Sequence, residues 1–448
     1  MTLAAVGSLD TAVLSRVVQT EADRDPDRLV LVFENGPHPA EHVTAGRLAR
    51  RSNLLARLLR EAGLRRGDRM AVMLPNIPEL VEALVADARM GLPTVPIDPR
   101  ARGQGLSHRL RNAGCAGLIT ADTVVADERA ATVIRASGVP TWVVSTPEGH
   151  SRGLSLASHW RSLDGALAGP EAPLCGEHVR DLSEPWLLLH GTGADPDAVE
   201  LGHDRMLLYR RLPGLFGYRS DDVPHTGLPL THLNALVTTV MPAIWGDVDH
   251  AVISPDFDAA RLWTVCITHG VTTWSNTGDL STAMYSVPSS SRDRSHGVRL
   301  VVSAGMPREI WRPFEERFGV KVLEWYGTLE GGLSCNPVGV GPVGSIGKPP
   351  ADLLEMDVVD GDGRPVAVGE VGELVLRPVG GEARLSYWRN PEASARRLRN
   401  GWLLTGDMVA RDADGWLYLA TPREADGTFR HLEPIDDADD AEAVYGIP

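Results

Sequence analysis

The sequence predicts an α/β protein: two large α/β subdomains with mainly parallel sheets, followed by a smaller β-rich subdomain. Three observations carry this expectation. Residues 69–98 alternate between extended apolar and helical patterns; the alternation recurs at 105–121 and 308–326; and after residue 340 it gives way to alternating strands with Asp-Gly turn signals.

Taken in order, RMAVMLP (69–75) is an apolar run suited to a buried strand, and Asn76 is the predicted N-cap of the next helix, with Pro78 in its first turn. PELVEALVADARM has helical spacing, Gly91 can end it, and TVPID (94–98) resumes an extended run. LSHRLRNAG followed by GLITA repeats the unit, as does REIWRPFEERFG followed by VKVLEWY. Strand, helix, strand in succession implies parallel strands with helices on their faces. Residues 147–184, rich in Gly, Ser, Ala and Pro, read as a connection between two sheet-bearing regions. EMDVVDGDGRPVAV and VGELVLRP read as paired antiparallel strands. The resulting division is a first α/β subdomain at 1–183, a second at 184–340, the β-rich part at 341–420 and a short acidic tail at 421–448. No internal repeat or heptad run is present.

Composition bounds the function. A chain of 448 residues, 43% of them hydrophobic, can bury a substantial core and divide into subdomains. Its formal charge of −15 opposes a nucleic-acid partner, because phosphate backbones recruit basic surfaces. Cys115, Cys175, Cys266 and Cys335 show no CxxC spacing, so neither a zinc site nor a disulfide framework is indicated. The N-terminus lacks a basic start with a following apolar stretch, and no apolar run approaches about 20 residues, so a cytoplasmic protein without a membrane span is expected. Among 44 basic residues only Lys321 and Lys348 are lysine.

Four stretches carry candidate chemistry. HGTGADPDAVELGH (190–203) follows the apolar Trp186–Leu189 and is shaped like a turn whose N–H groups cradle an anion, yet it holds aspartates and no lysine. LPLTHLNAL (228–236) puts His232 and Asn234 beside a strand end. VVSAGMPREI (301–310), followed by VKVLEWYGTLEGG (320–332), places Tyr326, Gly327, Thr328 and Glu330 on a turn after a strand. NGWLLTGDMVARDADGWLYL (400–419) sets Asp407 in a Thr-Gly-Asp turn.

In combination these stretches resemble the acyl-adenylate-forming superfamily: the AMP-binding acyl- and aryl-CoA synthetases, luciferases and adenylation domains. The resemblance runs from residue 10 to residue 420, and GSIGKPP and SYWRNPEAS match the superfamily's non-catalytic landmarks. It implies that a carboxylate attacks the α-phosphate of ATP, giving acyl-AMP and pyrophosphate, before a thiol such as coenzyme A or a carrier protein's arm takes the acyl group. Carried over to this sequence, Asp407 would hold both ribose hydroxyls, two acceptor oxygens meeting two donors. Glu330 would ligate Mg²⁺ and join His232 as a catalytic residue. Tyr326 would stack on adenine, with Ala304 and Gly305 lining its other face. Gly191, Thr192, Gly327 and Thr328 would surround the nucleotide, and His232, Asn234, Trp274 and Gly278 would wall the acyl pocket. Each has a plainer alternative: Asp407 as a turn cap, Tyr326 and Trp274 as core, His232 as a structural histidine.

The departures are specific. The superfamily's loop reads Thr/Ser-Gly-Thr-Thr-Gly-x-Pro-Lys-Gly; here His190 and Gly193 stand where a hydroxyl residue and the second threonine would be, Ala194 and Ala198 replace the glycines, and Asp197 replaces the lysine. A single charge pair at 4 Å is worth about 4 kcal/mol at an effective dielectric of 20, so pyrophosphate is expected to be held poorly. Leu329 stands where a hydroxyl would meet the α-phosphate, and Thr421-Pro422 stands for the usual Gly-Arg, with Arg423 a substitute if the loop is longer. After Ala420 only 28 residues remain, too few for the superfamily's mobile C-terminal domain, which supplies the adenylating lysine; domains seldom fall below about 50 residues.

The expected function is therefore that of an AMP-forming acyl-CoA synthetase-like protein acting on a small acyl or aryl carboxylate, impaired alone or completed by a C-terminal domain in trans. The alternatives are an accessory protein that binds an acyl, acyl-CoA or nucleotide ligand, and a reassigned ATP-independent enzyme acting on an already activated acyl substrate.

Overall fold

The computed structural model of the chain describes residues 8–422, apart from 158, 171, 172, 177 and 192–196, together with 429 and 430. Three sheets organise it. The first has seven strands, in the spatial order Arg161–Ser162, Thr141–Val144, Cys115–Ala121, Arg69–Met73, Thr94–Pro96, Pro185–His190 and Ala198–Gly202. All neighbours run parallel except the last pair. The second has eight, from Ser334–Asn336 through Lys321–Tyr326, Leu300–Ala304, Thr273–Thr277, Pro224–Thr226, Ala251–Ile253 and Leu29–Asn35 to His38–Thr44. Its interior is parallel and both edges are antiparallel. The third is antiparallel, pairing Leu354–Val359 with Val371–Pro378 and the latter with Trp402–Arg411. Two large, mainly parallel sheets and a smaller antiparallel one are the architecture expected of the sequence.

Sheet membership does not follow chain order. The hairpin at 29–44 closes the edge of the second sheet, whereas 185–202 completes the first. The stretch 147–184 is thus not a connection between sheets: it leaves the first sheet after Val144, returns to it as the short edge strand Arg161–Ser162, and re-enters it again at Pro185. Its Gly and Pro content reports a loss of regular structure, which a long excursion produces as readily as a domain boundary.

The helix Pro78–Met90 lies where the sequence put it, with proline in its first turn and Gly91 closing it at φ +65°. Its residues are buried all round except Glu79, so its charges need partners. Arg51 binds Glu79 and Glu82, each at 2.6 Å, and the Asp87 carboxyl accepts from the Thr94 hydroxyl at 2.7 Å. Asn76 is not its cap; Ile77 holds that position. The Asn76 amide instead donates to the carbonyls of Leu228 (3.0 Å) and Ser254 (2.8 Å) and accepts from Leu230 N–H (2.8 Å), tying the first sheet's loop to the second.

Past His232 the chain runs helically from Leu233 to Trp245, with a π-helical stretch at Leu236–Val240. Pro242 has no N–H for the carbonyl four residues earlier, that of Thr238, and the Tyr218 hydroxyl donates to it at 2.8 Å instead. A proline and a tyrosine from outside the helix thus account for the local widening. Among the described residues no helix is long and apolar enough to cross a membrane.

Candidate active site

The candidate residues gather at the carboxyl ends of parallel strands, where open α/β sheets form their ligand crevices. Thr273–Thr277 ends at Gly278, Leu300–Ala304 at Gly305 and Lys321–Tyr326 at Gly327. Gly278 and Gly305 cross so closely that a Cβ on Gly278 would lie 1.8 Å from the Gly305 carbonyl oxygen. Gly305 itself takes φ +89°. Its N–H and that of Met306 both donate to the buried carboxyl of Glu324, so the loop carrying Ala304 and Gly305 is anchored from the neighbouring strand. Burial pushes Glu324 up to about 8 against the lowering pull of those two donors.

Tyr326 is 8% exposed, its ring packed with Ile346, Leu374 and Val409 in the third sheet's core. Its hydroxyl donates to Asp407 Oδ2 at 2.6 Å. Burial, then the Asp407 charge, pushes the phenol well above its ordinary range. Asp407 lies not in a turn but in a bulge of the strand Trp402–Arg411, where the pairing with Val371–Pro378 slips between Leu404 and Met408: Thr405 donates to the Leu374 carbonyl and accepts from Asp407 N–H, while Gly406, at φ +79°, donates to Glu373. Two residues 81 positions apart thus meet, and Tyr326 serves the core and the carboxylate together.

A cavity of about 330 Å³ opens beside this pair, lined by Gly191, Asp197, Glu330, Tyr387, Arg396 and Arg397. The Tyr387 hydroxyl donates to Glu330 Oε1 at 2.8 Å, Arg397 lies 3.9 Å from the same oxygen, and Arg205 donates to the Glu330 carbonyl. Asp197, in the place of the loop lysine, accepts from the Asn390 amide through both oxygens, at 3.0 and 3.1 Å. Thr328 is committed within its turn, donating to the Gly331 carbonyl at 2.6 Å and accepting from Gly331 N–H. Its hydroxyl proton is therefore taken up by the Gly331 carbonyl. Thr192 and Arg423 lie outside the described residues.

On the acyl side, His232 is exposed and caps the helical run, its Nδ1 accepting Asn234 N–H at 3.3 Å. In the neutral ring that leaves Nε2 carrying the proton. Asn234 is buried in a network with Thr238 and Ser275. Since Ser275 faces this network, Trp274 points to the other side of the strand. Trp274 is fully buried, stacked on Phe257 with ring centroids 5.9 Å apart and packed against Trp263 and Phe314. It belongs to the core, and Ser275 is the strand residue beside Asn234. His190 is neutral at pH 7, because burial and then the neighbouring Arg109 and His108 push it down to about 4.

Mg²⁺ typically takes one or two protein carboxylates, with phosphates and water completing its shell. Glu330 fits that pattern, and among the described residues no cluster of three or more His, Cys, Asp or Glu offers a fuller cage. Neither lysine lines the cavity: Lys321 pairs with Glu315, and Lys348 donates to the Asp414 carbonyl over the ring of Trp416. The sequence did not single out Tyr387, Asn390, Arg397 or Glu324. Three of them lie within or next to SYWRNPEAS, taken only as a landmark.

A sequence model of the AMP-binding enzyme family matches residues 18–381, well over half the chain. The chain belongs to the AMP-binding enzyme family. Within the family it is 29% identical to human long-chain fatty acid transport protein 5, over 90% of this chain and 62% of that protein. It is 27% identical to the crotonobetaine/carnitine–CoA ligase of Salmonella paratyphi A, over 89% of this chain and 77% of that one. The fold matches the ATP-bound structure of MatB from Rhodopseudomonas palustris with a TM-score of 0.77 at 21% identity, covering 91% of this chain and 78% of that one. The chain thus spans less than two thirds of the length of the transport protein. The family match covers the strand ends of the second sheet and stops before Asn390, Arg397 and Asp407.

Proposed function

We propose that the chain binds an adenylate at the carboxyl ends of the second sheet, and that its reaction is the AMP-forming activation of an acyl or aryl carboxylate. The observation that carries this reading is the Tyr326–Asp407 contact beside a cavity that contains both Gly191 and Glu330. Asp407 would accept both ribose hydroxyls, since each carboxylate oxygen keeps a further lone pair after the bond from Tyr326. The anchored Ala304–Gly305 backbone would lie along the base. Glu330 would hold Mg²⁺, which supplies positive charge to the triphosphate.

In the chemical step a carboxylate oxygen bonds to the α-phosphorus as the bond to the β-phosphate breaks, leaving acyl-AMP and pyrophosphate. A carboxylate is already ionised at neutral pH, so no base is required. This suits His232, whose Nε2–H is a donor and would orient the acyl carboxylate rather than remove a proton. The acyl group would pass to coenzyme A or a carrier thiol.

A second reading, a homologue that binds acyl or nucleotide ligands without adenylating, is favoured by two observations: Asp197 in the lysine position and the committed Thr328 hydroxyl. Pyrophosphate release from ATP with a panel of acyl and aryl carboxylates separates the two. Carboxylate-dependent release that Asp407→Ala abolishes supports activation. Adenylate binding without release in any member of the panel supports the second reading.

A further inference from the structure

We infer that Arg396 and Arg397 form the phosphate-holding wall of the cavity, supplying from the segment after Asn390 the positive charge absent from the 190–198 loop. The inference rests on the adenylate reading for the identity of the ligand, but not for the chemistry of the site.

The cavity contains two carboxylates and two guanidinium groups, and their partners differ. Each carboxylate is held by a close neutral donor: Asp197 by the Asn390 amide through both oxygens, Glu330 by the Tyr387 hydroxyl. The arginines are less satisfied. Arg397 lies 3.9 Å from Glu330, the limit of an ion pair, and its Nε is buried without a hydrogen-bond partner. Arg397 is nonetheless fixed, because Nη2 donates to the Thr405 carbonyl at 2.7 Å and Nη1 lies 2.7 Å from where a Cβ on Gly406 would sit. Arg396 is exposed and makes no ion pair among the described residues. A fixed guanidinium beside a second, unpaired one is suited to oxygens that carry several charges, since guanidinium–phosphate contacts are charge-assisted and often bidentate.

Asp197 has a place in this arrangement. The Asn390 amide that it holds caps the helix Pro391–Arg396 through Oδ1, which accepts Ala393 N–H at 3.0 Å. An aspartate where the lysine would stand therefore braces the segment that carries the arginines. The ligand class is a polyphosphate, either borne by a nucleoside or free as pyrophosphate.

The test is calorimetric titration of the full chain and of Arg396→Gln, Arg397→Gln and the double variant with ATP·Mg²⁺, AMP, pyrophosphate and inorganic tripolyphosphate. The double variant is expected to weaken ATP and tripolyphosphate by at least about tenfold, as the loss of charge-assisted contacts should, and to leave AMP within twofold. The ratio of ATP to tripolyphosphate affinity in the unaltered chain separates the nucleotide-borne source from the free one. If Arg397→Gln does not fold, Arg396→Gln alone must weaken tripolyphosphate at least threefold. Unchanged polyphosphate binding in folded variants overturns the inference, as does an unaltered chain that binds no polyphosphate. AMP binding with arginine-independent polyphosphate sinks the inference alone. Arginine-dependent polyphosphate binding without AMP binding sinks the adenylate reading alone.

Discussion

Replacing Gly278 by alanine tests how the Ala304–Gly305 loop is seated. The added Cβ would stand 1.8 Å from the Gly305 carbonyl oxygen and 2.7 Å from its carbonyl carbon, whereas real Cβ atoms stay beyond 3.0 Å. The two strand ends must therefore part by at least 3.0 − 1.8 = 1.2 Å. Both obstructing atoms are backbone, and Gly305 is held on its other side by Glu324, so no rotamer change relieves the contact. Overpacking ordinarily costs about 1–3 kcal/mol, and a backbone collision belongs at or above the top of that range. At about 2.1 cal/mol/K per residue, 3 kcal/mol corresponds to a fall of roughly 3 °C in Tm if the whole chain unfolds as one unit. Gly305→Ala is the control: its Cβ would meet nothing closer than 3.9 Å, leaving only the strain of φ +89°, about 1–2 kcal/mol. Thermal unfolding with parallel titration of an acyl-AMP mimic should rank Gly278→Ala below Gly305→Ala in stability and show weakened binding. A Gly278→Ala protein with unchanged Tm and affinity would refute the reasoning.

Three further outcomes follow from the same geometry. Asn76→Ala strands two carbonyls and one N–H in the buried junction between the large sheets and should cost at least about 3 kcal/mol, read as a shift in urea midpoint; a loss under 1 kcal/mol contradicts the assigned bridge. Glu324 keeps its proton in the folded chain up to about pH 8 and loses it near pH 4.5 when unfolded, so its contribution is fully present below pH 4.5 and declines as pH rises to 8, by up to about 1.4 kcal/mol per unit. Unfolding at pH 5, 6.5 and 8 should show that decline in the unaltered chain and its absence in Glu324→Gln, which should also be less stable at pH 5 because one backbone N–H loses its acceptor. Asp197→Lys, which restores the superfamily's residue but breaks the brace to Asn390, should not strengthen tripolyphosphate binding; a tenfold gain would show that the loop rather than the arginine wall governs the cavity.

The strand ends were legible because glycines and polar turns interrupt apolar runs, signals that depend on neighbours in sequence. The side of the second sheet that each residue faces was not. Thr273–Thr277 is buried on both faces, so TWSNT shows no polar and apolar alternation to tell Trp274 from Ser275. Sheet membership was hidden for a related reason: the parallel partner of Leu29–Asn35, which joins its hairpin to the second sheet, begins at Ala251, and nothing local to either strand records that pairing. The loss of the loop lysine was plain, but the fate of the aspartate that replaced it was not. Its amide partner is 193 residues away, and its meaning depends on arginines that composition makes unremarkable in a chain with two lysines. Asn76 shows the reverse error: a side chain with the right chemistry for a cap found better partners across the sheet junction.

The central claim, an adenylate site centred on Asp407, is tested most directly by calorimetric titration of AMP and a non-hydrolysable acyl-AMP mimic into the full chain and into Asp407→Ala. The account predicts saturable binding of both, tighter for the mimic, and loss of both in a variant whose unfolding matches that of the parent. Absence of binding by the unaltered chain, or equal affinity in Asp407→Ala, would contradict it.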